Sequence, residues 1–500
     1  MRENIDLLLS GGTVLTLDSN DTTIEDGAVA IHGNRIRDVG SAAALDARYR
    51  AQRTLACRDQ LILPGLIDTY THTGHGLIRG LFHPKQGWPA RDLYWHATTP
   101  EWWHAEALLA SLERTRFGVT TAVAIVGATP PRVDDAIYSL EVAQAYATSG
   151  LRVIIGVGPP DPIFPHLDEP WKGTRLGLGE NEDRRFTYED ALETSLDVIR
   201  QLHGTENERV QACLAPPYLL GRHVVHGRQA QRLPTSIDAP VIARQAERLR
   251  GHADALGVVL HTHMFHGSVS FCLEELGAAF VEEILGPDVV AAHANGMTPQ
   301  EIEVLGSRQC GIAVVPSTHE NLWYGFAPTA DLVAAGARVS IATDGAAPYC
   351  SLDVLRQLAP ATWNSWHLQA SQDQLAPSRV LRMVTIDAAR ALGLDSEIGS
   401  LEPGKKADLI TIDLAAPHFI PVTALEYQMV HYAAGQDVLT VIVDGEVLMQ
   451  DRNFELLDAE AIRSQAEHEA SAAFARFDVS AFRWDRSDRD RSPSGAEGST

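Results

Sequence analysis

The long middle of the chain alternates short apolar runs with amphipathic stretches, and this alternation constrains the fold more than any other feature. The runs are "LILPGLID", "VTTAVAIVG", "LRVIIGVG", "VQACLAP", "GVVLHTHMF", "VVAAHAN", "GIAVVPS" and "RVSIATDG", about eight candidate strands. Between them lie stretches of helical periodicity, such as 106–117, 134–149, 239–256 and 330–335. Strand–helix alternation repeated eight times predicts an α/β chain of the (β/α)8 TIM-barrel class, with its chemistry where the strands end. Both chain ends read differently. "IDLLLSGGTVLTLD", "GAVAIHGNRIRDVG" and "LACRDQLIL" at one end, "ADLITIDL" and "LTVIVDGEVLMQD" at the other, carry strand patterns broken at hairpin spacing. They predict a small composite β-sandwich built from both ends. The expected division is 1–60 and 401–452 for that unit, 61–400 for the barrel and 453–480 for a C-terminal helix. Residues 481–500, ending in "RSPSGAEGST", are polar enough to be expected disordered.

Composition narrows the function. A length of 500 residues suits a barrel with insertions, and 45% hydrophobic with 21% charged residues is an ordinary globular balance. A formal charge of −24 argues against nucleic acid or an anionic membrane surface as partner, because both need a basic face. The five cysteines are scattered, without a C-x-x-C pair, and read as reduced buried thiols. No charged-then-apolar leader opens the chain, and no run approaches the roughly 18 apolar residues of a membrane helix. The expectation is a cytoplasmic homo-oligomer acting on a small-molecule substrate.

Polar residues collect where the apolar runs stop. The first run leads into Tyr70 and His72, two apart and therefore on one side of an extended chain, with His75 in a glycine-rich turn. The fifth carries His261, His263 and His266; the sixth ends in His293, the seventh in His319, the eighth in Asp344. A single strand-end histidine is usually structural. Five strands ending in His or Asp converge on one mouth, and imidazole with carboxylate suits Zn²⁺ or Fe²⁺. Aromatic residues Trp88, Tyr94, Trp95, Trp102 and Trp103 follow the first strand, readable as packing or as an apolar wall for a flat substrate, with Trp88, Trp103 and His319 the substrate-contact candidates.

The combination "LPGLIDTYTHTGHGLIRG", "LHTHMFH", "VVAAHANGMTPQEI", "ATDGAAPYCSLD" and "IGSLEPGKKADLITID" resembles the amidohydrolase superfamily. The likeness runs in order from about residue 5 to 450, to the branch of s-triazine hydrolases and of guanine and adenosylhomocysteine deaminases. It implies a metallo-barrel with a composite β-sandwich, and one divalent metal. In that family two histidines spaced H-x-H, a strand-five histidine and a strand-eight aspartate hold the metal. His72, His263 and Asp344 match three of these positions; the fourth falls on Tyr70. The proton-shuttling glutamate three residues beyond the strand-five ligand falls on His266. The strand-six histidine that polarises the substrate matches His293.

The departure at Tyr70 leaves three readings open: a phenol beside an intact metal, a phenolate ligand, or a site that has lost its metal. His75 or His266 could complete a zinc site instead. The leading expectation is a metal-dependent hydrolase cleaving a C–N or similar bond of a small heterocyclic or amide-like molecule. In it Asp344 is ligand and proton acceptor, His293 polarises the substrate and His266 shuttles protons. A non-haem iron oxygenase or a lyase such as a decarboxylase on the same scaffold is the alternative, since His72, His263 and Asp344 also make a 2-His-1-carboxylate set. A catalytically dead binding protein is the third class.

Overall fold

The computed structural model describes residues 2–83, 87–127, 132–160, 187–221, 233–318, 325–347, 351–369 and 375–483. Eight parallel strands form the barrel: Leu66–Asp68, Val119–Val126, Arg152–Val157, Val210–Leu214, Leu260–Met264, Val289–His293, Gly311–Val314 and Arg338–Ile341. Each is hydrogen-bonded to the next, and the short strand His72–Thr73 adds to the edge of Val119–Val126. The strands read as continuous apolar runs because helices cover one face and the barrel interior the other. Every residue of Val119–Val126 and of Arg152–Val157 is buried.

Between the eighth strand and the first, side chains and loop backbone take over from the ladder. Thr69 and Ser340 share a hydroxyl–hydroxyl hydrogen bond of 2.8 Å. The Thr343 N–H and hydroxyl both donate to the buried Asp68 carboxylate, at 3.0 and 2.6 Å. The Asp344 N–H donates to the Tyr70 carbonyl at 3.0 Å, which sets the ends of the first and eighth strands side by side.

Both chain ends build a separate nine-stranded, largely antiparallel sheet. Its seam joins Gln60–Pro64 to Leu409–Asp413, with Leu409 opposite Pro64 and Asp413 opposite Gln60. The run "LILPGLID", expected as one barrel strand, is therefore divided. Its first half belongs to the terminal sheet, and the barrel begins at Leu66. Gly65 marks the division, because a Cβ there would lie 2.1 Å from the Thr120 hydroxyl. Helix Ala459–Arg476 follows the second half of the sheet, where a C-terminal helix was expected. Of the tail, Ser480–Phe482 forms a short turn of helix, and 484–500 lie outside the described residues.

An ion cluster ties the barrel to the terminal sheet. Arg152, 4% exposed at the start of the third strand, reaches Asp408 at 3.1 Å and Asp444 at 2.9 Å. Arg152→Met is expected to cost on the order of 3 kcal/mol of stability, because the buried Asp408 carboxylate loses its cation while Asp444 keeps only Lys406 at 3.7 Å. A urea midpoint equal to the parent's would show that this junction carries no stability.

Candidate active site

Four strand ends bring their polar residues to one point. Tyr70, 1% exposed, directs its hydroxyl among three imidazoles: His72 Nε2 at 2.8 Å, His263 Nε2 at 2.7 Å and His293 Nε2 at 3.4 Å. Asp344 Oδ1 lies 4.0 Å from His72 Nε2. Beneath the phenol, His261 stacks on the Tyr70 ring at 5.4 Å between centroids and holds the Thr69 carbonyl through Nε2 at 3.0 Å. His261 thus supports Tyr70 from below.

The backbone at these strand ends is unusual. His293 and Asp344 adopt φ of +78° and +63°, a region that non-glycine residues enter rarely and at a cost of about 1–3 kcal/mol each. Leaving the extended conformation there lets both side chains turn across the barrel mouth. Burial pushes the Asp344 carboxyl up to about 6, against hydrogen bonds from Gly345 N–H and Thr318.

Both imidazoles nearest the phenol are fixed in one tautomer. His72 Nδ1 lies 2.7 Å from the Gly127 carbonyl and His263 Nδ1 lies 2.9 Å from the Pro217 carbonyl. A carbonyl only accepts, so each Nδ1 carries a hydrogen and each ring turns its Nε2 to Tyr70. Burial holds His72 neutral, its pKa lowered to about 4. His261 is lowered to about 4 by the same burial. Unfolded histidines near 6.5 take up protons before these two do. Between pH 6.5 and 4 each of these histidines is therefore expected to lower the stability of the chelator-treated chain by roughly 1.4 kcal/mol per pH unit, while the raised carboxyls of Asp68 and Asp344 act in the opposite direction below about pH 6. A His261→Gln variant is expected to lose less stability than the parent between pH 7 and pH 5, and equal losses would contradict this.

Other predicted residues fall elsewhere. His266 stands apart from the hydrogen-bonded cluster: its side chain is exposed, its Nδ1 3.8 Å from Glu301. Its N–H bonds the Asn295 carbonyl in the turn after the fifth strand, so the alternation that places His263 no longer applies to it. Trp103 is closed inside the core, its indole N–H on the Thr98 hydroxyl at 3.0 Å, and does not reach the mouth. Trp88 is half-buried against His75, with ring centroids 4.5 Å apart. His319 lies outside the described residues. The Gly127 and Pro217 carbonyls, which set the tautomers, had no sequence signal at all.

The Amidohydrolase family model matches residues 61–448. A 5-methylthioadenosine/S-adenosylhomocysteine deaminase of Moorella thermoacetica is 30% identical over 464 residues, covering 88% of this chain and 94% of that protein. A 5′-deoxyadenosine deaminase of Methanosarcina mazei is 28% identical, covering 94% and 99%. Among solved structures, an adenosine deaminase of Xanthomonas campestris with bound zinc superposes with a TM-score of 0.78 at 23% identity, covering 95% of this chain and 100% of that one. An atrazine chlorohydrolase of Arthrobacter aurescens with zinc gives 0.73 at 22%, covering 93% and 100%. A parallel barrel with a terminal sheet and an imidazole–carboxylate mouth defines a class of hydrolases. The chain belongs to the amidohydrolase family. Membership carries hydrolysis of carbon–nitrogen bonds other than peptide bonds and the family's divalent metal, commonly zinc or iron.

The residues present suit such an ion. Histidine ligands commonly give their second ring N–H to a backbone carbonyl, as His72 and His263 do. Two imidazole nitrogens, a phenol oxygen and a nearby carboxylate are donors for zinc or iron. Among the described residues no three His, Cys, Asp or Glu side chains meet at ligand spacing. The reason is the phenol: longer than imidazole, it sets its oxygen between the nitrogens of His72 and His263.

Proposed function

We propose that the chain hydrolytically removes an amino group from a planar nitrogen heterocycle, at a divalent metal held by His72, His263 and Asp344 with the Tyr70 oxygen as fourth donor. The observation that carries this reading is the meeting of two carbonyl-pinned imidazole nitrogens on one phenol oxygen, at 2.8 and 2.7 Å. When bound, the ion supplies a water of lowered pKa and a Lewis acid. Asp344, its carboxyl raised by burial, accepts a proton from the attacking water. His293, 3.4 Å from the Tyr70 oxygen, faces the reacting carbon's substituents and polarises them. His266, exposed beside Glu301, has no part in this reading. The named relatives act on adenosine-type compounds, which makes an aminopurine nucleoside the first substrate to try.

Incubation with 5′-deoxyadenosine, 5′-methylthioadenosine and an aminotriazine is expected to release ammonia, with zinc or iron co-purifying. Turnover that requires oxygen would instead favour the oxygenase reading, and a metal-free inactive chain would sink both. No helix among the described residues is long and apolar enough to cross a membrane. A cytoplasmic homo-oligomer fits this reading. Trp363, Tyr427, Tyr432 and Ile420 are 43–62% exposed, around a segment with few charges on a strongly acidic chain, and support self-association. Light scattering that reports only monomer would remove that part.

A further inference from the structure

His75 is 2% exposed, yet neither ring nitrogen has a hydrogen-bond partner. Most buried polar atoms in native proteins are paired, and an unpaired one carries its full desolvation cost. This ring is nevertheless held firmly in place. Glu106 accepts from the Gly76 N–H at 2.9 Å and from the Thr73 hydroxyl, fixing the backbone on both sides of His75. Gly345, beside Asp344, leaves room for it: a Cβ there would lie 1.6 Å from His75 Nδ1. Two further buried polar atoms without partners, Trp88 Nε1 and Tyr94 Oη, belong to rings 4.5 and 6.2 Å from the same imidazole. On its other side His75 stacks on His72 at 5.1 Å. A hydrophobic residue would fill this space without the desolvation cost. The cluster is organised around hydrogen bonds that the protein itself does not supply.

We propose that His75, with Trp88 and Tyr94, is the specificity-determining group, reading the edge of a nitrogen heteroaromatic ring. A neutral imidazole offers one N–H donor and one lone pair. Trp88 adds a donor, and the Tyr94 hydroxyl adds a donor or an acceptor. Such a set distinguishes ring nitrogens and amino groups from the C–H of an isostere. Sites that hydrogen-bond their substrate reject analogues lacking those groups far more strongly than apolar pockets do.

This inference rests on the heterocycle-hydrolase reading, and the test separates the two. The probes are 5′-deoxyadenosine and its 3-deaza and 7-deaza analogues, which keep the N1–C6 bond that takes up the attacking water, with His75→Phe and the slimmer His75→Met as variants. The parent is expected to discriminate against one deaza analogue by roughly 100-fold or more in kcat/KM. Both variants should lose that discrimination mainly through KM, retain metal and melt at a higher temperature, since two unpaired buried atoms are gone. Undiminished discrimination in the variants overturns the inference, and so does a lower melting temperature in both, which marks a packing residue. If the parent itself turns over none of the probes, the aminopurine reading fails; a rise in melting temperature then still supports His75 as a ligand-reading group, and a fall overturns it.

Discussion

Asp344→Asn is expected to lower kcat/KM by at least about 10³-fold while leaving the fold intact. The change keeps the side chain's size and its bond from the Gly345 N–H but removes both the charge and the base. Asp344 sits at a strand end in a left-handed backbone conformation, a position asparagine also tolerates. Circular dichroism should therefore match the parent, and metal content should fall, because a carbonyl oxygen is a weaker donor than a carboxylate. A folded variant with most of its turnover would place the chemistry elsewhere.

Tyr70 gives the second large effect. Tyr70→Phe deletes only the oxygen on which His72 and His263 converge, leaving the ring that stacks on His261. Metal affinity is expected to fall at least about tenfold, in the range lost when a site's supporting group is removed, and activity with it. Tyr70→His shortens the side chain and rebuilds an H-x-H pair with His72. Metal affinity should then exceed that of Tyr70→Phe, and three imidazoles with Asp344 should meet at ligand spacing. Metal analysis after dialysis against a chelator reads both variants. If Tyr70→Phe equals the parent in metal content and turnover, the tyrosine is packing and the proposed donor set is wrong.

The barrel was legible in the sequence, and so were the strand ends on which the candidate site is proposed. Apolar runs buried on both faces are a local property, and so is the two-residue spacing that turns Tyr70 and His72 the same way. His263, His293 and Asp344 could be placed at strand ends because a strand's last residues are visible where its apolar run stops. The reach of the alternation ended with the strands: it held for His263 inside Leu260–Met264 and failed for His266 two residues past that strand.

Only the tertiary structure decided where the Tyr70 oxygen lies. Sequence placed its backbone; the depth of its oxygen depends on a side chain longer than imidazole and on where three other strands end. The tautomers of His72 and His263 were equally out of reach, because they are set by the backbone carbonyls of Gly127 and Pro217, 55 and 46 residues away in the chain. Backbone carbonyls are common to every residue type and leave no pattern in a sequence. His75 belongs to the same class, since its unpaired nitrogens and its fit over Gly345 exist only once residues about 270 positions apart are packed together. The order of apolar and polar residues determined the barrel and the mouth that holds the site. Which atoms meet there, and which remain unpaired, followed from side-chain length and backbone contacts across the barrel.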